Sequence, residues 1–367
     1  MLTPRQRCLA AFDQGAYPPV WQPRLEHWYT VNKRQGTLPE RYRHMELLDV
    51  YDDLGASVRP YHIFNPALRC IEDPSIERTV ADSPDRVTIA WRTPVGEVSA
   101  VERRTELAQQ RAEFPIKRIE DIKVIDYMLR GRRWEFDREV YEKGVAIVGD
   151  RAEPTIYIQR VNLQRLFLEY MGFENTLYAL NDHPREMERL IRTIDETDEA
   201  MLEIVANCPI RVINFGDNVH SHLLGARLFE RWLLPVYRSR AELLHRAGKY
   251  VYAHWDGYVR ELLPYVHETG LDGIEAITPQ PQGDVTLEEV KAALGDDFTL
   301  VDGIPAVYFL PGYPVEDLVA CTRKVLDLFS PRLILGISDE ISPPGDIERV
   351  RLVSETVRAW WEGQSGR

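Results

Sequence analysis

Short apolar runs alternate with longer segments of helical periodicity through most of the chain. In the second half, RVINFG (211 to 216) precedes RLFERWLLPVYRSRAELLHRAG, and YVYAHW (250 to 255) precedes YVRELLPYVHETG. LDGIEAIT (271 to 278) precedes TLEEVKAALG, FTLVDG (298 to 303) precedes VEDLVACTRKVLDLF, and RLILGIS (332 to 338) precedes DIERVRLVSETVRAWW. The runs are β-rich and too short for helices, whereas the longer segments repeat apolar positions every three or four residues. Gly248, Gly270 and Gly295 follow their helices where left-handed C-terminal caps are expected. Upstream, VAIVGD (145 to 150) is expected to be a further core strand, with PPVWQ (18 to 22) and GASVRP (55 to 60) as the first two.

Eight strands alternating with helices predict an α/β fold, a (β/α)8 TIM barrel, whose functional groups gather where strands end at the carboxyl face. Neither G-x-G-x-x-G nor G-x-x-x-x-G-K-[ST] occurs, so both nucleotide fingerprints of the competing doubly wound sheet are missing. RVTIAWRTPVGEVSAVERRT alternates apolar and polar residues around a Pro-Val-Gly turn. This predicts a β-hairpin insertion at about 68 to 108, in the N-terminal half of a single barrel domain covering 1 to 367. No low-complexity tract or Gly/Ser linker divides the chain.

Composition narrows the function classes. With 367 residues, 44% of them hydrophobic, the chain can bury a large core, which excludes disorder. The 45 Lys and Arg against 58 Asp and Glu give a net charge of -13, so no global positive field exists for a nucleic-acid backbone. No stretch of about 18 apolar residues is free of charges, so no membrane span is expected. The first residues carry charge at once and do not resemble a signal peptide. Cys8, Cys70, Cys208 and Cys321 are scattered without a C-x-x-C pair, and a cytoplasmic protein is expected.

Polar side chains are costly inside an apolar strand but can serve an open site at its carboxyl end. RVINFG runs into Asp217 and Asn218, and YVYA into His254, Trp255 and Asp256. LDGI contains Glu275, TLV meets Asp302, and LILGI meets Ser338, Asp339 and Glu340. Any one of these could simply cap the next helix, but five strands in succession point to a common rim. In His254-x-Asp256 both side chains face the same way along the strand, a donor pair suited to Zn²⁺, Fe²⁺, Mn²⁺ or Ni²⁺, with Asp339 and Glu275 as candidate further ligands. A hydrogen-bonded structural histidine is the plainer alternative. FGDNVHSHLLG adds Asp217, Asn218, His220 and His222, with His220 read as a substrate contact or acid/base group. WQPRLEHWY supplies Arg24, His27, Trp28 and Tyr29, an aromatic wall with one cation, or else a packed helix face. No G-x-S-x-G nucleophile elbow is present.

The order of these pieces resembles the uroporphyrinogen decarboxylase superfamily, a (β/α)8 group that includes cobalamin-linked methyltransferases. The likeness runs from TPRQRCLAAFDQG through WRTPVGEVSA, EFPIKRIEDIKVIDYML and GDNVHSHLLGARLFERWLLPVYRSR. It is strongest in AHWDGYVRELLPYVHETGLDGIEAITPQPQGDVTLEEVKAALGDDFTLVDGI and LILGISDEISPPGDIERV. The decarboxylases carry an Arg-rich R-Q-A-G-R segment that grips substrate carboxylates; here PRLEHWY stands in that region with Arg24 alone. The resemblance is therefore closer to the methyltransferase branch.

Those methyltransferases hold Zn²⁺ with H-x-C on one strand and a Cys near the last. His254 matches the His, while Asp256 and Asp339 stand at or near the two Cys positions. The resemblance thus implies an enzyme moving a methyl group between a small methylated or methoxylated compound and a corrinoid protein or folate-like carrier. It implies a divalent metal, zinc first, on His254, Asp256, Asp339 and Glu275. Asp217, His220, His254 and Asp302 would carry catalysis, with His27, Tyr29, Asn218, Trp255 and Glu340 as substrate contacts. A homodimer is one expected assembly. The alternatives are a decarboxylase or other lyase acting on a small acid, and a non-catalytic barrel that binds a corrinoid protein or ligand.

Overall fold

The computed structural model describes residues 2–365. The first barrel strand, β1, is only Val20–Trp21. There follow β2 (Leu68–Ile71), β3 (Glu77–Asp82), β4 (Arg86–Thr93), β5 (Gly96–Arg104), β6 (Gln109–Glu113) and β7 (Arg133–Phe136). The remaining barrel strands are β8 (Thr155–Ile158), β9 (Val212–Val219), β10 (Tyr250–Trp255), β11 (Gly273–Glu275), β12 (Thr299–Pro305) and β13 (Leu333–Ser338). The barrel strands pair in the order β1-β13-β12-β11-β10-β9-β8, all parallel, and helices surround them.

The TIM-type α/β fold is therefore present, with two corrections to its expected strands. Residues 145 to 150 are not a strand: they finish the Arg138–Val148 helix and its 3-10 extension. The apolar run VAIV has the composition of a strand, but it continues a helix started by the Asp137 N-cap, and the barrel strand is the shorter TIYI downstream. Residues 56 to 60 form no strand either. Their one main-chain bond to the sheet is Ser57 N–H to the Trp21 carbonyl, 2.8 Å, so β1 and β8 are not joined by a backbone ladder. The sheet has seven paired strands rather than eight.

The predicted hairpin forms between β4 and β5, closed by Pro94 and Val95. It lies within a four-stranded antiparallel sheet, β3-β4-β5-β6, that reaches Glu113. β2 and β7 make a separate antiparallel pair. Among the described residues, no helix is long and apolar enough to cross a membrane.

Side chains alternate across each barrel strand, which fixes what meets inside. Ile213, Phe215, Val251, Ala253, Ile274, Leu300 and Leu335 belong to the large core shared with the helices. Val20, Val212, Tyr252, Val301 and Ile334 form an inner apolar layer, floored by Phe12 of the N-terminal helix. Two residues further along their strands come Gln22, Asn214 and His254, so the next layer is polar. Outside the sheet, Asp198 accepts Arg165 at 2.8 Å and Arg240 at 2.7 Å, binding three helices through one buried carboxylate. Asp198→Ala leaves two buried guanidinium groups without this partner and should cost about 3–5 kcal/mol in urea-induced unfolding. A loss under about 1 kcal/mol would show that water replaces the carboxylate.

Candidate functional site

Arg59 is the structural centre of the polar layer. Its side chain is 1% exposed, and its Nη1 donates to Glu275 Oε1 at 2.7 Å and to Asp302 Oδ2 at 3.2 Å. Nη2 donates to Asp302 Oδ1 and to the Gln22 carbonyl. Gly336 is required beside this pair, because a Cβ there would meet the Asp302 carboxylate and lie 2.8 Å from Arg59 Nη2. Asp302 adopts φ 87, a left-handed conformation unusual for a non-glycine residue, held by the two bonds from Arg59.

Glu275 accepts from four donors. Arg59 and Tyr61 serve Oε1, at 2.7 and 2.8 Å; Asn214 and His254 Nδ1 serve Oε2, at 2.6 and 2.8 Å. Burial alone would raise its pKa, but the Arg59 guanidinium and the His254 bond outweigh that and hold the carboxyl well below its usual range. An ionised Glu275 makes His254 Nδ1 the donor. Burial disfavours charge on His254, yet the Glu275 bond and the nearby Asp339 and Asp256 charges push its pKa up to about 9. His254 is thus an imidazolium at neutral pH, and the two cations and two carboxylates of the cluster balance.

The other imidazole nitrogen, Nε2, is buried without a hydrogen-bond partner among the described residues, with Asp256 Oδ2 3.9 Å away. His254 belongs to the lining of a cavity of about 330 Å³ with Arg24, Tyr157, Ile158, Gln159, Arg160, Glu169, Gly216, Asn218 and Asp339. Arg24 pairs with Asp339 and lies 3.8 Å from Glu340. Arg160 donates to Glu169 Oε1 and Asn218 Oδ1, each at 3.0 Å. The wall over Gly216 is the Tyr157 ring, 2.9 Å from where a Cβ would sit.

The structure brings His254, Asp256, Glu275, Asn218, Asp302, Asp339 and Glu340 into this connected region and sorts their surroundings. Asp217 is fully buried, accepting from Val161 N–H and Tyr237 Oη at 2.7 Å each, and is absent from the cavity lining. Asp302 is engaged by Arg59 in the same way. Trp255 packs edge-on against Phe229 in the core, and Tyr29 donates to the Met45 carbonyl at 2.6 Å; neither lines the cavity. His220 lies against Gly257 and forms a ring cluster with His222 and Tyr258, also outside the lining. His27 is half-buried near Glu340.

The residues do not fit a metal centre as arranged. Among the described residues, no three His, Cys, Asp or Glu side chains converge on one ion position. Glu275 has both oxygens occupied by protein donors, and Asp339 is paired with Arg24.

Arg59, Tyr61, Tyr157, Arg160 and Asn214 escaped the sequence reading. Arg59 ends GASVRP, so the rule that polar groups gather at strand ends would have found it there. Arg160 follows TIYI closely and was hidden by the misplaced strand.

No family profile matches the chain, and no curated protein matches it. Among solved structures, a methyltransferase from Methanosarcina mazei aligns over 98% of this chain and 100% of its own, with TM-score 0.63 and 14% identity. A B12-independent methionine synthase from Shewanella sp. W3-18-1 aligns over 87% of this chain and 85% of its own, with TM-score 0.43 and 12% identity. The first of these shows a shared fold over the full length.

The raised His254 pKa sets a pH window with a definite sign. Its pairing adds full stability below the ordinary value of 6.5 and loses it as pH climbs through about 9. Urea unfolding should show stability declining across that window, less steeply in His254→Gln. The His254 ring signals in NMR should titrate near 9; titration below pH 7 would contradict the ion pair with Glu275.

Proposed function

We propose that the protein is a methyltransferase that removes a methyl group from the oxygen of a small methylated compound and delivers it to a corrinoid protein or folate-like carrier. The observation that carries this reading is His254 on the cavity lining, with its Nδ1 held by the buried Glu275 carboxylate at 2.8 Å and its Nε2 unpartnered among the described residues. A methyl ether gives up its methyl as the C–O electron pair stays on oxygen. The carrier's nucleophile takes the carbon, and His254 Nε2 supplies the proton that neutralises the departing alkoxide or phenoxide. Glu275 keeps the ring charged and oriented, and Arg59 keeps Glu275 ionised. His254 regains its proton from water through the open cavity.

The full-length fold shared with a methyltransferase is consistent with this chemistry.

A second reading, a lyase acting on a small acid, draws on Arg24 and Arg160 in the same lining: they would hold the acid while His254 protonates the carbanion. Incubation with methyl-¹³C ethers and candidate carriers separates the two. Label should appear on the carrier without release of CO₂; release of CO₂ without labelled carrier would replace the first reading with the second. His254→Gln should lower turnover by about 10²–10⁴-fold. The wild-type kcat/KM should fall as pH rises through about 9, with that limb absent from the variant.

A further inference from the structure

We infer that the compound bound in this cavity carries a carboxylate and that Arg160 selects it. The inference deepens the methyl-transfer reading and rests on it only for the other end of the substrate, the ether oxygen at His254.

Arg160 stands just beyond β8 and lines the cavity. A guanidinium has five N–H donors, and the protein engages Arg160 through one bond from Nη1 to Glu169 and one from Nη2 to the neutral Asn218 amide oxygen. Its Nε–H is buried and has no protein acceptor. The Nε and Nη donors of one guanidinium lie parallel, the spacing that a carboxylate's two oxygens accept together. His254, whose buried Nε2 has no partner among the described residues, lines the same cavity. An oriented guanidinium with an unengaged Nε–H, lining a cavity of about 330 Å³ that His254 also lines, calls for a small ligand with an anionic group at Arg160.

Arg160 is itself paired with Glu169, so what sets it apart from Arg24, the other cation on this lining, is its unengaged Nε–H. Arg24 is paired with Asp339 and near Glu340, while Arg165 and Arg240 share Asp198 behind the barrel. Asn218, with φ 54, holds its backbone in the left-handed region while its amide oxygen fixes one arm of Arg160. Glu169 fixes the other, so the guanidinium is oriented before any ligand arrives.

Titration calorimetry with methoxyacetate, 3-methoxybenzoate and 4-methoxybenzoate, against methoxyacetamide and the two methoxybenzamides, tests this. At least one carboxylate should bind about tenfold or more tightly than its amide. Arg160→Gln should remove that preference, Arg160→Lys should restore only part of it, and His254→Gln should retain it. Circular dichroism and thermal unfolding check that each variant folds. Equal binding of acid and amide, no binding of any acid at millimolar concentration, or a preference that survives in folded Arg160→Gln would each overturn the inference. Carboxylate-selective, Arg160-dependent binding without methyl transfer would keep the inference and end the methyl-transfer reading.

Discussion

A guanidinium enclosed by protein must find its counter-charges nearby, and the interior of this barrel is organised around that need. Arg59 reaches Glu275 on β11 and Asp302 on β12 from a segment outside the paired sheet. Either carboxylate alone in so dry a place would take up a proton; with Arg59 between them, Glu275 stays ionised and can hold His254 in its charged form. The small residue at 336, the left-handed turn at 302 and the hydroxyl of Tyr61 all serve the same arrangement. His254 is thus oriented by groups that line no part of the cavity themselves.

The later strands were legible because their physics is local. β9 to β13 are short apolar runs bounded by helices with strong periodicity, and left-handed Gly270 marks a helix end as expected. The first half was harder because pairing there depends on distant partners. A two-residue strand such as β1 has no periodicity to detect, and VAIV carries strand-like composition inside a helix. TIYI is too brief to outrank it, although its parallel pairing to β9 makes it the true wall of the barrel.

The site was legible in part for the same reason. His254 and Glu275 announce themselves as polar residues in apolar strands, with Asp256 just past the end of β10, and they do assemble. What the chain alone could not reveal was which lone pairs remain free after assembly. A donor set that suits a metal in one dimension becomes a network of ion pairs once Arg59 and Arg24 arrive from other segments. Those cations lie more than two hundred residues from the acids they neutralise, beyond any motif spacing.

The seam between β1 and β8 runs beside the cavity, for Arg24 follows one strand while Tyr157 and Ile158 belong to the other. Elsewhere the cylinder is sewn by amide bonds that cannot change without unpicking neighbours. Across this gap the joints are side chains: Tyr61 lies 3.8 Å from Tyr157, ring to ring, and Asn65 caps the Tyr157 amide at 2.9 Å. Evolution can exchange such joints one codon at a time. The stretch of wall beside the cavity is therefore the one whose closure rests on side chains that can be replaced without breaking a sheet ladder.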